Sequence, residues 1–538
     1  MPVPTADKNA GHAGVFASRA VLWQATRTLQ RSAHPALCHP AITSGVPGIV
    51  ARVRMATDRR PGRVARIVHR PGGQRYACPG NMVCPPRSYL PATPDMPPCP
   101  PAFASASTLL SRTCIRAAAI LLLTGLIIPP APAVAAPAKP PLRLGDITSA
   151  QRDPAFALRY RQGWTLAVEE INASGGLLGR RVEVLTRDDA GDPAKAVAQA
   201  RDLVQRLQVA ALFGGHTSES ALALSGYADS ARVPYLAVAP LSRKLTWQQG
   251  NAHTFRLRPG AWSQAAAVAP KALGRRKLKW ALVYQDDESG RELASAFKAL
   301  MLAFQSKSQF VYDTPLGPAM LRAGTAAATV KSIEAARPEA LFIALTGKDL
   351  AAFVRAGQAA DLFDGRPVVS LFTGYPENLT ALREANLRLP ADWIITGYPR
   401  DAITSLAHQD FVAAYTARFA VPPTMASLLG YTALKSLGAA IRQAGSADSA
   451  GITTALTGLK LDTPVGEIEF RRMDHQATLG VFLGYSAAGD SPAMDRFVLV
   501  PGTRLQPPDE QVRRLRSERG TAAEAQAAPR PEAAKVSP

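Results

Sequence analysis

The segments LRLGDI at residues 142–147, RVEVLT at 181–186, VAALF at 209–213 and VPYLAVA at 233–239 are short, apolar and strand-like. Helix-like segments separate them, and a polar turn precedes each new element. Such alternation specifies a parallel sheet whose ligand-binding loops follow the strand ends. The stretch therefore predicts an α/β fold.

The segments between the strands carry the signals of helices. Residues 164–171 have apolar side chains at spacings i, i+3, i+4 and i+7, which is typical of an amphipathic helix. Gly175 and Gly176 end this helix, since glycine accepts the left-handed cap conformation freely. Asp192 is predicted to cap the next helix, with Pro193 at its first position.

A second series of strands and helices follows the first. Its strands are predicted at 279–284, 310–312, 340–345 and 367–372, and its helices at 290–304, 326–336 and 350–360. A strand at 394–398, helices at 409–419 and 427–443, and strands at 467–470 and 481–485 complete the pattern. Two similar series predict two Rossmann-like lobes: lobe one from about 140–262 and 400–465, and lobe two from about 263–399 and 475–505.

Residues 109–138 are predicted to be a signal peptide. Arg112 and Arg116 precede an apolar segment at 117–128 that is short for a membrane span. The small residues of Ala-Val-Ala at 133–135 then give the spacing that a signal peptidase recognises. A membrane anchor that stays attached is the alternative. The signal predicts a periplasmic protein that begins near Ala136.

The chain on either side of this body is predicted to lack a fold. Residues 1–108 show no sustained period, and we expect a disordered extension or a true start at Met82 or Met96. Residues 506–538 are rich in Pro, Ala, Arg and Glu, and we expect a disordered tail.

The charge and the cysteines are unevenly distributed. The net charge is +21, yet residues 1–135 alone hold 15 Lys and Arg against 3 Asp and Glu, a net of +12. The rest of the chain has no basic run interleaved with aromatics, which argues against a nucleic-acid partner. All five cysteines precede residue 120, so the folded body has neither a disulfide nor a thiolate metal site.

Several motifs together resemble a known family. The run GWTLAVEEINASGG at 163–176, LGR at 178–180, Asp-Asp at 188–189 and Asp-Pro at 192–193 resembles the type I periplasmic, or extracytoplasmic, substrate-binding proteins of ABC importers. The likeness is strongest to the leucine/isoleucine/valine-binding branch. Val-Pro at 233–234, Ser-Gly at 289–290 and Asp-His-Gln at 474–476 agree with it, and it covers about residues 142–500.

The resemblance implies both a fold and a function. Two lobes joined by a three-crossover hinge would close on a small-molecule ligand in the cleft between them. The protein would be a solute-binding component without catalytic activity, cofactor or metal, and is expected to be a monomer. Its partners would be the permease and ATPase subunits of an importer at the inner membrane.

Ser218 is the leading candidate for ligand binding. It follows the strand that ends at Phe213 and opens a helix, where unpaired N–H groups and the helix dipole attract a carboxylate. The resemblance implies that the Ser218 hydroxyl contacts the ligand carboxylate. An ordinary N-cap is the alternative, and Thr217 is a weaker candidate on the same loop.

A second ligand loop is implied at residues 237–242. Backbone groups of Ala237 and Ala239 would contact the ligand. Leu241 stands where the family has a threonine, and Ser242 follows it. The backbone contacts survive this change, whereas the hydroxyl contact does not.

Three positions at which the family has tyrosines differ in this chain. The first is Phe156, which can stack but cannot donate a hydrogen bond. The second is Ser289, and the third falls at Thr346 or Gly347.

The family's acidic partner for a ligand ammonium is not evident. The loop after the strand at 367–372 contains Thr373 and Tyr375, and no carboxylate occurs before Glu377. Glu377 or Asp286 could reach the ligand differently. Because a buried ammonium needs an acceptor, the pattern predicts a small carboxylate or amide ligand and poor binding of leucine, isoleucine and valine.

Enzymatic and sensory functions are the alternatives. Asp188 and Asp189 are adjacent and favour a turn over acid–base chemistry. His216 lies near Ser218, but no Gly-x-Ser-x-Gly motif accompanies them, which disfavours a hydrolase. The acidic run at 286–288 is predicted to be a solvated loop rather than a metal site. A sensor with the same fold stays open.

Overall fold

The computed structural model describes residues 139–317, 325–489 and 492–517, and these belong to one compact unit. The predicted N-terminal extension and signal peptide lie outside the described residues, as does the tail from residue 518. Within them the fold is α/β with two mostly parallel sheets, as predicted.

The first sheet consists of five parallel strands. They are β1 (Leu142–Thr148), β2 (Val182–Asp188), β3 (Leu212–Gly214), β4 (Tyr235–Ala237) and β5 (Thr254–Arg256), in the order β2-β1-β3-β4-β5. Its helices are α1 (Pro154–Ala173), α2 (Pro193–Arg201) and α3 (Ser218–Ala231). The sequence pattern does not predict β5, because three residues are too few to show a period.

The later strands form a second sheet and a small hairpin. They are β6 (Lys279–Gln285), β7 (Gln309–Leu316), β8 (Ala340–Ala344), β9 (Val368–Gly374), β10 (Ile394–Gly397), β11 (Lys460–Thr463), β12 (Gly466–Glu469), β13 (Val481–Ser486) and β14 (Met494–Val500). The second sheet has the order β14-β13-β10-β9-β8-β6-β7, and β11 pairs with β12. Strands β10, β13 and β14 pair antiparallel, and the remaining pairs of this sheet are parallel.

The later helices divide between the two sheets. They are α4 (Ala261–Gly274), α5 (Glu288–Phe304), α6 (Thr325–Ala335), α7 (Gly347–Ala359), α8 (Pro376–Glu384), α9 (Leu406–Phe419), α10 (Met425–Ala444) and α11 (Ser449–Leu456). Helix α4 packs on the second sheet, whereas α9 and α10 return to pack on α1 beside the first. The exact lobe boundaries stay a prediction.

Helix starts follow the capping chemistry of the sequence. The Asp192 carboxylate accepts the N–H of Ala194 at 2.8 Å, so the predicted cap of α2 is confirmed. For α3 the cap is Thr217, whose hydroxyl accepts the N–H of Ser220 at 3.1 Å. The alternative of Ser218 as the N-cap is therefore wrong, because Ser218 is already the first helical residue.

The prediction of a disordered tail from residue 506 is wrong for its first part. Residues 509–517 are helical. Val512 is fully buried, and the Arg516 guanidinium donates to the Thr246 carbonyl at 2.9 and 3.1 Å. A buried apolar residue and a hydrogen-bonded arginine attach this short helix to the folded body. So few residues do not change the overall composition of the segment, from which the tail was predicted. Among the described residues, no helix is long and apolar enough to cross a bilayer.

Candidate functional site: the interface between the strand ends

The carboxyl ends of the two sheets face each other. The hydroxyls of Ser218, after β3, and Ser289, after β6, are 2.9 Å apart. The Ser242 hydroxyl, after β4, donates to Glu288 at 2.9 Å. Loops at the carboxyl ends of parallel strands are where α/β folds bind ligands, so this interface is the candidate site.

The Ser218 hydroxyl is fully engaged. Its oxygen accepts the N–H groups of Leu241 and Ser242, each at 3.1 Å. Two accepted bonds use both lone pairs, so Ser218 donates its own hydrogen to Ser289. Ser218 thus fixes the loop after β4 and the start of α5, and its role as a ligand residue stays a prediction.

A buried arginine stabilises the loop after β4 through hydrogen bonds. Arg256 is 3% exposed, and its guanidinium donates to the Ser242 carbonyl at 2.5 Å and to the Thr246 hydroxyl at 3.2 Å. Burial lowers the pKa of Arg256 to about 10, so the side chain stays charged at neutral pH. Its Nε donates to Gln476, which ties this loop to the Asp-His-Gln segment.

The predicted backbone contacts of this loop are partly occupied. The Ala237 carbonyl accepts the N–H of Leu257 at 2.9 Å as part of the sheet edge. The Ala239 carbonyl accepts from Arg258 at 3.3 Å. The Leu241 side chain is 5% exposed and packs in the core, so only its backbone faces the site.

Arg258 is the main feature of the site that the sequence pattern misses. Its guanidinium carbon lies 4.9 Å from the ring centre of Phe372 and 5.7 Å from that of Tyr375. Its Nε is buried and makes no hydrogen bond. Among the described residues no carboxylate lies within ion-pair distance of it. Arg258 comes two residues after β5, and without that strand nothing places it at the interface.

Glu377 lies at the same interface. Its Oε2 is buried without a hydrogen-bond partner. Burial raises the pKa of Glu377 to about 7, against the opposing effect of the Arg258 charge. Asp286, by contrast, is half exposed and pairs with Arg291. Of the two carboxylates considered from the sequence, Glu377 is the one near Arg258.

An aromatic pair completes the first sheet's side of the site. The rings of Phe156 and His216 are 4.4 Å apart. His216 Nε2 is 3.6 Å from Asp153, and its Nδ1 is buried without a partner. Burial lowers the pKa of His216, and the nearby Arg258 charge adds to this effect. Because Ser218 bonds to other groups, no Ser–His dyad forms here.

The remaining candidate ligand residues form hydrogen bonds with other groups of the protein. The Thr373 hydroxyl pairs with that of Ser370 at 2.6 Å, and both residues are fully buried. Thr346 caps α7 without a side-chain hydrogen bond to that helix, and its hydroxyl reaches Gln285 at 3.5 Å. The Gly347 N–H donates to Asn378 at 2.7 Å.

The acidic pairs and the second histidine have structural roles. Asp188 accepts the N–H of Ala190 at 2.8 Å and Asp189 that of Gly191 at 2.7 Å, which confirms the predicted turn. The His475 ring stacks on Phe255, and burial lowers its pKa to about 4. No group of three metal-ligating side chains occurs within the described ranges.

Two cavities lie near these elements. One of about 10 Å³, room for a single water, is lined in part by Tyr375, Pro259 and Met425. The other, of about 570 Å³, lies beside α1 and is lined in part by Asp146 and Thr186. Its lining includes Thr148 and Asp188, the last residues of β1 and β2, and does not include Arg258.

Comparison with known proteins identifies the family. A family model described as periplasmic binding protein matches residues 144–490. The chain belongs to this periplasmic binding protein family. Its members bind solutes without catalysing a reaction, in agreement with the prediction of a non-enzymatic protein.

The relatives of this periplasmic binding protein agree with that assignment. It is 34% identical to Leu/Ile/Val-binding protein homolog 7 of Brucella abortus (strain 2308) over 171 residues, 30% of this chain and 42% of that protein. The chain therefore spans less than half the length of this curated relative.

Two solved structures share the fold. A solute binding protein of an ABC transporter from Rhodopseudomonas palustris BisB5, in complex with 3,4-dihydroxybenzoic acid, is 18% identical with a TM-score of 0.59, covering 69% of this chain and 99% of that one. A branched-chain amino acid transporter substrate binding protein from Streptococcus pneumoniae, in complex with isoleucine, is 18% identical with a TM-score of 0.57, covering 67% and 99%. At this identity the likeness concerns the fold alone.

Proposed function

We propose that this periplasmic binding protein is the solute-binding component of an ABC importer. It binds a small amino-acid-like, amide or carboxylate ligand between the two sheets and does no chemistry. The observation that carries the proposal is the meeting of both sets of strand ends around polar atoms without partners, namely Arg258 Nε, Glu377 Oε2 and His216 Nδ1. Buried polar groups are normally hydrogen-bonded, so a ligand that satisfies them is favoured here.

The ligand class follows from the charges at the interface. The two solved structures hold an aromatic carboxylic acid and isoleucine, so ligands of both classes should be tested. Burial keeps a large part of Glu377 protonated near neutral pH, and a protonated carboxyl is a poor partner for an ammonium. A carboxylate without an α-ammonium is therefore favoured, and leucine, isoleucine and valine are expected to bind poorly.

Binding acts by shifting a conformational equilibrium. The cavity beside Tyr375 holds about one water, so a ligand enters when the two sheets separate and stays when they close around it. The partners are permease and ATPase subunits that recognise the closed form. Lobe one at about 140–262 and 400–465 would move against lobe two.

Export through the signal at 109–138 accounts for the site of action. We expect the mature protein to begin near Ala136 and to function in the periplasm as a monomer. N-terminal sequencing of the exported protein tests this, and a product that retains residues 121–128 would contradict cleavage.

A thermal-shift screen of the purified protein tests the function. The panel contains the amino acids, their amides and small aliphatic and aromatic carboxylates. A ligand present at 100 times its Kd stabilises the fold by about 2.7 kcal/mol, which is a readily measured shift. We expect carboxylates to raise the melting temperature and the three branched-chain amino acids to leave it unchanged. The absence of any shift across the panel would contradict a solute-binding function.

A further inference from the structure

We propose that Arg258 is the anion-binding residue of this interface and that the ligand is a planar aromatic carboxylate. The inference rests on the proposed function, because it assumes that a solute binds between the two sheets. It assigns the carboxylate to Arg258 rather than to Ser218.

The hydrogen bonds of Arg258 leave most of its donors available. Of its five N–H groups, one donates to the Ala239 carbonyl at a long 3.3 Å, the Tyr375 hydroxyl lies within reach of the guanidinium, and the buried Nε has no partner. A guanidinium is always charged and matches the two oxygens of a carboxylate in a bidentate arrangement. A buried donor without an acceptor is unfavourable, and a bound carboxylate would satisfy it.

The Ser218 hydroxyl is a weaker anion site than Arg258, because it has no donor available. Both of its lone pairs accept backbone N–H groups, and its single hydrogen reaches Ser289 at 2.9 Å. A ligand carboxylate at Ser218 would have to displace Ser289, and only a neutral donor would be gained. Arg258 supplies a charge and free donors without such a displacement.

The surroundings of Arg258 favour a flat ligand. The rings of Phe372 and Tyr375 make cation–π contacts with the guanidinium, whose carbon lies 4.9 and 5.7 Å from their centres. Phe156 and His216 supply a second pair of rings on the opposite sheet. An aromatic ring between these two pairs gains stacking contacts that an aliphatic side chain cannot make.

The backbone of Phe372 is held in a strained form at this point. Its φ is 65°, in the left-handed region that a bulky residue rarely adopts. The Thr396 hydroxyl accepts its N–H at 2.9 Å, and the Asn378 amide donates to its carbonyl at 2.8 Å. Strain that the surrounding structure enforces in this way is typical of ligand-clamping positions.

The charges also discriminate between ligand classes. A zwitterionic amino acid would bring an ammonium close to the Arg258 cation. Burial raises the pKa of Glu377, the nearest candidate to neutralise that ammonium, to about 7, so only part of it is charged at neutral pH. An aromatic carboxylate carries a single negative charge and no ammonium. It is therefore not repelled by the Arg258 cation and needs no acidic partner.

Titration calorimetry with benzoate, benzamide and isoleucine tests the inference on three forms of the full chain. These are the wild type, Arg258→Gln and the control Arg366→Gln. Arg366 is also partly buried and is bonded to the Pro338 and Leu362 carbonyls, at the amino end of β9, far from the interface. We expect benzoate to bind the wild type and the control equally, and Arg258→Gln to lose about 10- to 100-fold in affinity. Benzamide should bind weakly to all three, because it lacks the charge.

The other outcomes separate this inference from the proposed function. If benzoate binds Arg258→Gln as well as the wild type, Arg258 is not the anion site. If isoleucine binds the wild type more tightly than benzoate, the ligand is not an aromatic carboxylate. Solute binding stands in both cases. If none of the three compounds binds the wild type and the broader screen is also blank, both proposals fail. A melting temperature of Arg258→Gln equal to that of the wild type without ligand excludes a folding defect.

Discussion

The Ser218 hydroxyl joins three segments of the chain through one oxygen. It accepts two N–H groups of the loop after β4 and donates to the first turn of α5. The N–H groups of Leu241 and Ser242 are buried with those residues, so they depend on Ser218 for their hydrogen bonds. Ser218 therefore stabilises both the loop after β4 and the start of α5.

Ser218→Ala is expected to lower the free energy of unfolding by about 1–3 kcal/mol, since it leaves two buried donors unsatisfied. A denaturant melt measures this. Ser220→Ala is the matched control two residues later, because the Ser220 hydroxyl is buried without a partner and its removal should cost almost nothing. Equal effects of the two substitutions would contradict the anchoring role.

The Asp146 carboxyl gives the fold a measurable pH dependence. It is fully buried, and burial raises its pKa to about 7 in spite of hydrogen bonds from Tyr160 at 2.9 Å and Thr186 at 3.1 Å. Between about pH 4 and pH 7 the folded protein keeps this proton while the unfolded chain has lost it. The stability that Asp146 contributes therefore falls as the pH rises through this window.

Asp146→Asn removes that titration. Relative to the wild type, the variant should gain stability by on the order of 1 kcal/mol or more between pH 5 and pH 8, because one pKa unit corresponds to about 1.4 kcal/mol. Denaturant melts of both proteins at the two pH values measure the difference. A difference in stability that does not change with pH would contradict the raised pKa.

At the scale of elements, the packing of α1 on α10 depends on two glycines. A Cβ at Gly163 would lie 2.0 Å from the Ser427 carbonyl oxygen, and one at Gly430 would lie 2.2 Å from that of Tyr160. The two helices therefore approach until backbone meets backbone. This contact attaches α10 to the first half of the fold, although α10 follows the second sheet in the chain.

Gly163→Ala is expected to destabilise the protein by more than 2 kcal/mol, because neither backbone can yield without separating the helices. Gly226→Ala in α3 is the control, since nothing lies within 4 Å of the added Cβ. The control should be neutral or stabilising by up to about 1 kcal/mol, through helix propensity. Thermal unfolding of both variants measures this, and a tolerated Gly163→Ala would contradict the close approach.

The elements also show how far the sequence could predict this protein. Long periodic segments such as α1, α5 and β6 were predictable because each buries one face or both along its whole length. The assignment of residues 400–465 to lobe one was based on the order of the helices that follow the second series, and α10 does pack on α1. Arg258 was not predictable, because β5 is three residues long and the partners of Arg258 come from β9, more than a hundred residues later.

The candidate ligand residues also divide into those that the sequence could place and those that it could not. Ser218 could be placed at the interface because it follows a recognisable strand end, whereas Phe156 was a candidate through the family resemblance alone. Thr373 stays a prediction as a ligand contact: β9 extends two residues beyond its predicted end, and the Thr373 hydroxyl bonds to that of Ser370. The availability of a donor is a property of three-dimensional packing, which no local pattern shows.

At the scale of the whole molecule, polar contacts hold the two sheets together beside the site. Arg243, after β4, donates to Glu292 on α5 at 2.6 Å, and both side chains are largely buried. Lys244 pairs with Glu288 at 2.9 Å on the same helix. Under the proposed function, these pairs lie between the halves that would separate when a ligand enters.

Glu292→Gln is expected to favour the open form, which should raise the radius of gyration in small-angle scattering without ligand. Glu169→Gln is the control, because its exposed pair with Arg418 joins α1 to α9 within the first half. The control should leave the scattering profile unchanged. An unchanged profile for Glu292→Gln as well would show that these pairs do not restrain opening.

A crystal structure of the protein with bound benzoate tests the central claim most directly. The account predicts benzoate between the two sheets, with both carboxylate oxygens within hydrogen-bond distance of the Arg258 guanidinium and the ring between Phe156 and Tyr375. Benzoate in the cavity of about 570 Å³ beside α1, or a carboxylate bound to Ser218 with Arg258 left unpaired, would contradict it.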